Sequence, residues 1–263
     1  MTEKIPHEIA NVMVTGKSGA GKQPRIDVLM EEFHLEQLST GDMFRHYLGL
    51  FNKFGYPHNL SEFYNMNEEK FIPDEEIMKK LGTNDEEIIL GLKAKYFVDQ
   101  GLFGPDIIVN ALFESSFGKK DYQKQVLDGY PRTLNQAEFL LQLLEKKGSK
   151  IDFIVLVDNT DERIIQRTVQ RRICPKCGKV YHLKYKPPLD GKCEKCHIDV
   201  IQRSDDTEEK IKSRLQEFKN KTVPALDFLK QKGIPIVTVP GHLEEFTTEN
   251  VKHSVLSEIE KLY

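Results

Sequence analysis

The sequence predicts an α/β fold, a parallel sheet with helices on both faces. Short apolar runs alternate with segments of helical period along most of the 263 residues. The connections between them are short, which favours parallel strands joined by crossover helices. A glycine loop, Gly16-Lys17-Ser18-Gly19-Ala20-Gly21-Lys22, lies between the first apolar run and the first helix. That strand–loop–helix setting is the one in which such a loop grips phosphate.

Residues 11–15 read as the first strand and residues 26–33 as an amphipathic helix. Residues 36–38 form a second strand that runs into Ser39-Thr40-Gly41-Asp42, a helix start. Val126-Leu127 is a third apolar strand. Residues 134–147 place Leu134, Ala137, Leu140, Leu141 and Leu144 on one helical face and stop at Gly148. Residues 151–157 read as a buried strand of the parallel kind, followed by a helix over about 160–172. After a cysteine-bearing segment, Asp205-Asp206-Thr207-Glu208-Glu209 opens a long helix with acidic residues at its positive end. Pro224 is expected to kink that helix or divide it. Residues 234–239 supply a fifth strand and residues 249–262 a closing helix. Residues 64–74 and 96–106 echo each other at constant offset, Tyr64 through Phe71-Ile72-Pro73-Asp74 against Tyr96 through Phe103-Gly104-Pro105-Asp106. Both copies read as a helix, a turn with a Pro-Asp helix start, and another helix.

In the glycine loop, successive N–H groups can face a phosphate, the helix N-terminus adds positive potential, and Lys22 supplies a mobile charge. Gln23-Pro24 stands where a Ser or Thr is usual after the lysine. Proline is tolerated in a first helical turn, but here it removes an N–H that would face the nucleotide.

The length suits one substantial core with smaller appendages. No apolar run reaches membrane-spanning length, and the first residues show no signal-peptide pattern, so no membrane partner is expected. A formal net charge of −3 with 30% charged residues argues against a general nucleic-acid binder. Four cysteines without a secretion signal point to a reducing, cytoplasmic setting, where metal ligation prevails over disulfides. They form two pairs, Cys174-Pro175-Lys176-Cys177 and Cys193-Glu194-Lys195-Cys196, a spacing that suits one tetrahedral Zn²⁺; two disulfides or free thiols are the alternatives. Gly178 and Gly191 suit the turns, no ligand position is left for water, and His182 and His197 read as surface residues.

Asp128-Gly129-Tyr130-Pro131-Arg132-Thr133 follows the third strand. A carboxylate there, beside the glycine loop, can hold Mg²⁺ through water, and the arginine can fork onto a phosphoryl group. With the glycine loop and Ser39-Thr40-Gly41-Asp42-Met43-Phe44-Arg45, this set resembles the nucleoside monophosphate kinases, specifically the adenylate kinase family. Arg167, Arg171 and Arg172 before the cysteines, and Arg203 and Arg214 after them, follow the order seen in members with a long lid. The resemblance spans nearly the whole chain except roughly residues 50–88.

The resemblance implies a P-loop NTPase-type core (1–45, 113–172 and 203–263), an AMP-binding lid with a helical insertion (46–112) and a zinc-ribbon lid (173–202). It implies Mg²⁺-dependent transfer of the ATP γ-phosphoryl group to AMP, giving two ADP, by a monomer. Lys22, Arg132, Arg171, Arg203 and Arg214 would stabilise charge. ATP would meet Gly16, Gly19, Ala20, Gly21, Lys22, Gln23, Pro24, Arg167, Arg171, Val180, Tyr181 and Gly241. AMP would meet Thr40, Arg45, Leu102, Phe103, Gly104, Gly129, Tyr130, Pro131, Arg132, Gln136, Arg203 and Arg214. Asp128 would hold Mg²⁺ through water, and Cys174, Cys177, Cys193 and Cys196 a structural Zn²⁺. Two features depart from the family pattern. Gln23-Pro24 replaces glycine and threonine, a loss of roughly 1.5–3 kcal/mol per charge-assisted contact, or about one to two decades in rate. The lid region carries roughly thirty-odd extra residues, far beyond an ordinary connection, whose Phe51, Phe54, Tyr56, Phe63 and Tyr64 suggest a packed helical subdomain. The first departure leaves two other readings open, a relative with weak or no catalysis and a GTP:AMP phosphotransferase.

Overall fold

The computed structural model describes residues 5–6, 8–100, 104–184, 186–203 and 206–263. Its centre is a parallel sheet built from β1 (Asn11–Thr15), β2 (Glu36–Ser39), β5 (Gln125–Asp128), β6 (Phe153–Asp158) and β9 (Ile236–Pro240). The strand order is β2-β5-β1-β6-β9, so β1, which feeds the glycine loop, is central. Its partners run in register, Val14 beside Asp128 on one side and Val155 on the other.

Strand alternation divides the apolar residues between two cores. Met13, Leu127 and Ile154 point into one. It is completed by α2 (Thr40–Phe54), α4 (Glu86–Asp99), α5 (Asp106–Gly118), α6 (Leu134–Lys147) and α9 (Val223–Gln231). Val12, Val14, Val126, Phe153 and Val155 point into the other, under α1 (Gln23–Phe33), α7 (Asp161–Val169), α8 (Glu208–Glu217) and α10 (Thr248–Ile259). Burial on both faces is why these strands are continuously apolar. Among the described residues no helix is long and apolar enough to cross a membrane.

The element order follows the sequence reading, with four differences, one being that the helix expected over about 160–172 ends at Val169 and Arg171–Ile173 is a strand. The first helix opens at Gln23 rather than Ile26, because Pro24 lies in its first turn, where no N–H is needed. The long helix is divided before Pro224 by a π-helical turn, Phe218–Thr222, which absorbs the missing hydrogen bond and restarts as α9. The internal echo fails in its first half. Tyr64–Asn65 (β3) pairs with Lys70–Phe71 (β4) in a hairpin, whereas Tyr96 lies inside α4. Local chemistry explains this: the Asn65 side chain accepts from the N–H groups of Asn67 and Glu68, closing a turn. Only the Pro-Asp helix starts match, at α3 (Asp74–Leu81) and α5.

The inserted segment is a packed unit. Tyr64 stacks on Tyr96 at 4.6 Å between ring centroids and meets Phe71 edge-on at 5.0 Å, while Phe63 is fully buried against Tyr56. α2 and α4 approach so closely that a Cβ on Gly91 would overlap the Tyr47 carbonyl oxygen and lie 2.9 Å from the Phe51 Cβ. Gly91→Ala is therefore expected to destabilise the protein by about 1–3 kcal/mol, the cost of overpacking. Urea unfolding should show a lower midpoint with an unchanged slope.

Candidate active site

The glycine loop caps the carboxyl end of β1 and lies on neighbouring backbone. Gly16, at φ +146°, has no room for a Cβ, which would overlap the Val157 carbonyl oxygen. On its far side the loop touches the turn after β9. A Cβ on Gly241 would overlap the Ala20 carbonyl, and one on Gly21 would lie 2.9 Å from the Gly241 oxygen and 3.2 Å from Arg167 Nη1. Gly16, Gly19, Ala20, Gly21, Arg167 and Gly241 are thus gathered around one cradle.

Lys22 folds back over the loop, its Nζ donating to the carbonyls of Gly16 at 3.1 Å and Lys17 at 3.4 Å. Burial lowers its pKa below the ordinary lysine value; Asp128 opposes this, while Arg132 and Arg171 add to it. Asp128 and Arg132 therefore act on Lys22 from the end of β5 and the turn after it, and Arg171 from the segment just past α7. Arg132 is depressed as well, by desolvation in the cleft and by Arg214, against Asp128 and Glu217. Arg171 is held bidentately by the buried Asp206, at 2.8 and 2.6 Å. Arg214 reaches the same carboxylate at 3.6 Å and donates to Ser18 Oγ in the glycine loop at 3.2 Å. Arg203 is exposed; its carbonyl accepts the Asp206 N–H at 3.1 Å. Among the described residues no hydrogen bond or ion pair brings its guanidinium onto the cluster.

At the end of β5, the Thr40 hydroxyl donates to the Asp128 carbonyl at 2.8 Å. A Cβ on Gly129 would lie 2.8 Å from Thr40 Oγ1 and 2.9 Å from Arg132 Nη2, so these three residues meet closely at the end of the strand. The Asp128 carboxylate accepts from Gln37 Nε2 at 3.0 Å, and Gln37 in turn exchanges hydrogen bonds with Gln23 at 2.9 and 3.2 Å. Gln23 is thus linked to Asp128 through Gln37, while Pro24 occupies the first turn of α1. Arg45 is exposed and paired with Asp42 on its own helix at 2.5 Å.

Several predicted contacts are placed differently by burial. The side chains of Tyr130 and Pro131 lie in the core; the Tyr130 ring stacks on Phe113 at 3.8 Å and its hydroxyl donates to Asn110 at 2.7 Å. Burial, with Asp106 and Glu114, pushes the Tyr130 phenol well above its usual range. Tyr181 belongs to the cysteine cluster, its hydroxyl donating to Cys193 Sγ at 3.3 Å, and Val180 beside it is exposed. Gln136 is nearly buried and already engaged by Arg132 and Asp106. Gly104 packs against Phe44 and Ile108; Leu102 and Phe103 lie outside the described residues.

Two charged residues escaped the sequence reading. Asp206 was visible only as one acid in an acidic helix start. Arg25 lies on the apolar face of α1 with Val28 and Leu29, and that misplaced charge was its signal. Fully buried, it donates to the carbonyls of Gly21 at 3.2 Å and Pro240 at 2.5 Å, stapling the glycine loop to the end of β9. Burial, then Arg167, brings its pKa down to about 10.

The cysteines stand apart from this cleft. β7 (Arg171–Ile173) and β8 (Val180–His182) form a hairpin with Cys174 and Cys177 at its tip. The N–H of Gly178 donates back to the Cys174 carbonyl at 2.9 Å, and that of His197 to the Cys193 carbonyl at 2.8 Å. Both turns use a positive φ, +72° and +56°. His197, rather than the expected Gly191, therefore serves the second turn. All four sulfurs are free and lie within 4.8 Å of one another. A tetrahedron with Zn–S bonds of about 2.3 Å needs S···S separations of about 3.8 Å, and the Cys177–Cys193 pair is at 3.6 Å. The donor set fits zinc.

Comparison with known proteins agrees with this geometry. The adenylate kinase family model matches residues 78–234. The adenylate kinase of Caldanaerobacter subterraneus subsp. tengcongensis is 33% identical over 250 residues, 94% of this chain and 96% of its own. The chain belongs to the adenylate kinase family. The adenylate kinases of Clostridium kluyveri (33% identical; 88% of this chain, 90% of theirs) and Caldicellulosiruptor bescii (34%; 91% and 96%) are similar to it over comparable lengths. As a family member the protein is a nucleoside monophosphate kinase.

Lys22 holds a proton in a crowded, positively charged place in this kinase, at a cost to folding. Its folded pKa lies below its unfolded one, so its charged form destabilises the fold at neutral pH. That penalty fades as pH rises through the folded pKa toward 10.5. Lys22→Met should accordingly lower phosphoryl transfer at least about a hundredfold without lowering Tm. Thermal melts should place the variant at or above wild type near pH 7, with the gap closing as pH rises toward 10.5.

Proposed function

We propose that this kinase transfers the γ-phosphoryl group of ATP to AMP, giving two ADP. The observation that carries the proposal is the convergence of Lys22, Asp128, Arg132 and Arg171 at the mouth of the glycine loop, with Asp206 bracing Arg171 and Arg214. Two nucleotides bring several phosphate charges together, and transfer between them depends on position and charge rather than on a general base. The backbone of residues 16–21 cradles the ATP phosphates. Lys22, drawn off the Gly16 carbonyl, Arg171 and Arg214 stabilise the moving charge, joined by Arg203 from its exposed position. Arg167 and the Gly241 turn border the base. On the acceptor side Arg132 and Arg45 clamp the AMP phosphate, Thr40 and Gly129 border its nucleoside, and Gln136 reads the base edge beside Gly104. Asp128, oriented by Gln37 and Gln23, would hold Mg²⁺ through water, and the ion would offset phosphate charge when bound with ATP. The Gln23 carboxamide on this chain of bonds supports a site adapted to the loss at Pro24.

Residues 46–112 and 173–202 are the two lids over the core formed by 1–45, 113–172 and 203–263. The four cysteines hold a structural Zn²⁺, which supplies a cross-link and no reaction step. A cytoplasmic monomer fits the free thiols.

A coupled assay with ATP against AMP, GMP, CMP and UMP tests the reaction. AMP should exceed CMP and UMP by at least about tenfold, the scale of one missing hydrogen bond to the base. Equal turnover of all four would refute the acceptor, and no turnover would refute the reaction. Elemental analysis should find zinc equimolar with the chain, and a strong chelator should lower Tm, because binding free energy at such a site is folding free energy. Metal-free protein with two disulfides would overturn the zinc assignment.

A further inference from the structure

Gln136 sits in a closed ring of hydrogen bonds. Thr133 caps α6, its hydroxyl accepting the Gln136 N–H at 3.2 Å and donating to Asp106 Oδ2 at 2.8 Å. The other carboxylate oxygen, Asp106 Oδ1, accepts from Gln136 Nε2 at 2.7 Å. The Arg132 N–H donates to Gln136 Oε1 at 2.8 Å. Asp106 is the first residue of α5, where the helix dipole favours a carboxylate. Both of its oxygens are engaged, so it is fixed from two sides.

These partners allow the amide only one orientation. A backbone N–H can only donate, and an ionised carboxylate can only accept. Turning the Gln136 amide over would set its NH₂ against the Arg132 N–H and its oxygen against the Asp106 carboxylate, losing two bonds and creating two repulsions. A carboxamide has two donor and two acceptor positions. The ring uses one of each and leaves one of each. That remaining pair matches adenine, whose edge offers an exocyclic N–H and the N1 acceptor. Guanine reverses the pattern, with an acceptor at O6 and a donor at N1, and would need the amide turned over.

We propose that Asp106 is the specificity-positioning residue of this kinase: by holding Gln136 in one orientation, it makes the acceptor site take AMP and reject GMP. The proposal rests on the reading of Gln136 as the residue that meets the acceptor base. Asp106 touches neither nucleotide in this scheme; it acts through the glutamine.

Asp106→Asn tests this. Asparagine is equally at home at a helix start, but its amide can donate or accept, so one of the two constraints on the Gln136 amide is lifted and turning it over costs only the bond from the Arg132 N–H. The AMP:GMP ratio of kcat/KM should fall by about tenfold or more, the scale of one charge-assisted hydrogen bond. The change should come mainly from a lower KM for GMP. Calorimetric titration of both monophosphates gives the same comparison without turnover, and a purely structural role would weaken both alike. Asp106→Ser, whose hydroxyl also donates or accepts, serves if the asparagine variant fails to fold, with the same expected loss of discrimination. If wild type neither binds nor phosphorylates AMP, the acceptor assignment itself fails. If wild type prefers AMP and the variants keep that preference undiminished, the lock is refuted. It is equally refuted if wild type accepts GMP as readily as AMP.

Discussion

Backbone packed against backbone holds this site together. The loop from Gly16 to Gly21 lies between the Val157 carbonyl at the end of β6 and the turn at Gly241, with too little space at Gly16 and Gly241 for a single methyl group. A loop so confined presents its N–H groups in one arrangement, which is what phosphate recognition requires. Arg25 reinforces the contact from below by joining the Gly21 and Pro240 carbonyls. Everything else in the cleft is measured from that frame: Asp128 and Gly129 hang from β5 on one side of β1, and α7 with its arginines from β6 on the other.

The second governing fact is an excess of positive charge. Lys22, Arg132, Arg171 and Arg214 crowd the loop mouth, opposed by the carboxylates of Asp128 and Asp206. Lys22 and Arg132 both have depressed pKa values, chiefly through desolvation. Such an arrangement costs folding free energy, and it is the arrangement that anionic substrates relieve. Asp206 keeps the cluster from dispersing by holding two guanidiniums on one buried carboxylate. Gln23 joins this arrangement through Gln37 and Asp128.

Outside the core, two units settle their own stability by different means. The segment between α2 and α4 does so with aromatic rings, Tyr64, Phe71, Tyr96 and Phe97 packed edge and face. The cysteine unit is too small for that. Cys174, Tyr181 and Cys193 are its only fully buried apolar residues among those described, and its four clustered sulfurs are a donor set that a metal could cross-link. Paired backbone bonds between Ile173 and Ile201 close the two ends of this unit on each other.

By itself the sequence determined what local chemistry controls. The alternation of elements, the glycine loop, the paired cysteines and the division at Pro224 each follow from spacing, backbone freedom or a missing N–H, and each was legible. The hairpin at residues 64–71 was not, because helical and hairpin readings of that echo differ only in which side chain bonds which backbone group. Tertiary structure alone decided which polar residues are buried and with whom. Arg25 meets Pro240 across 215 positions of sequence, Asp206 meets Arg171 across 35, and Asp106 meets Gln136 across 30. The same holds for Tyr130 and Tyr181, expected at ligands and found in cores. A motif fixes which residue types are near one another along the chain. Burial and hydrogen-bond partners are set by the packing of distant segments, and only there do a carboxylate, a guanidinium or a phenol acquire a role.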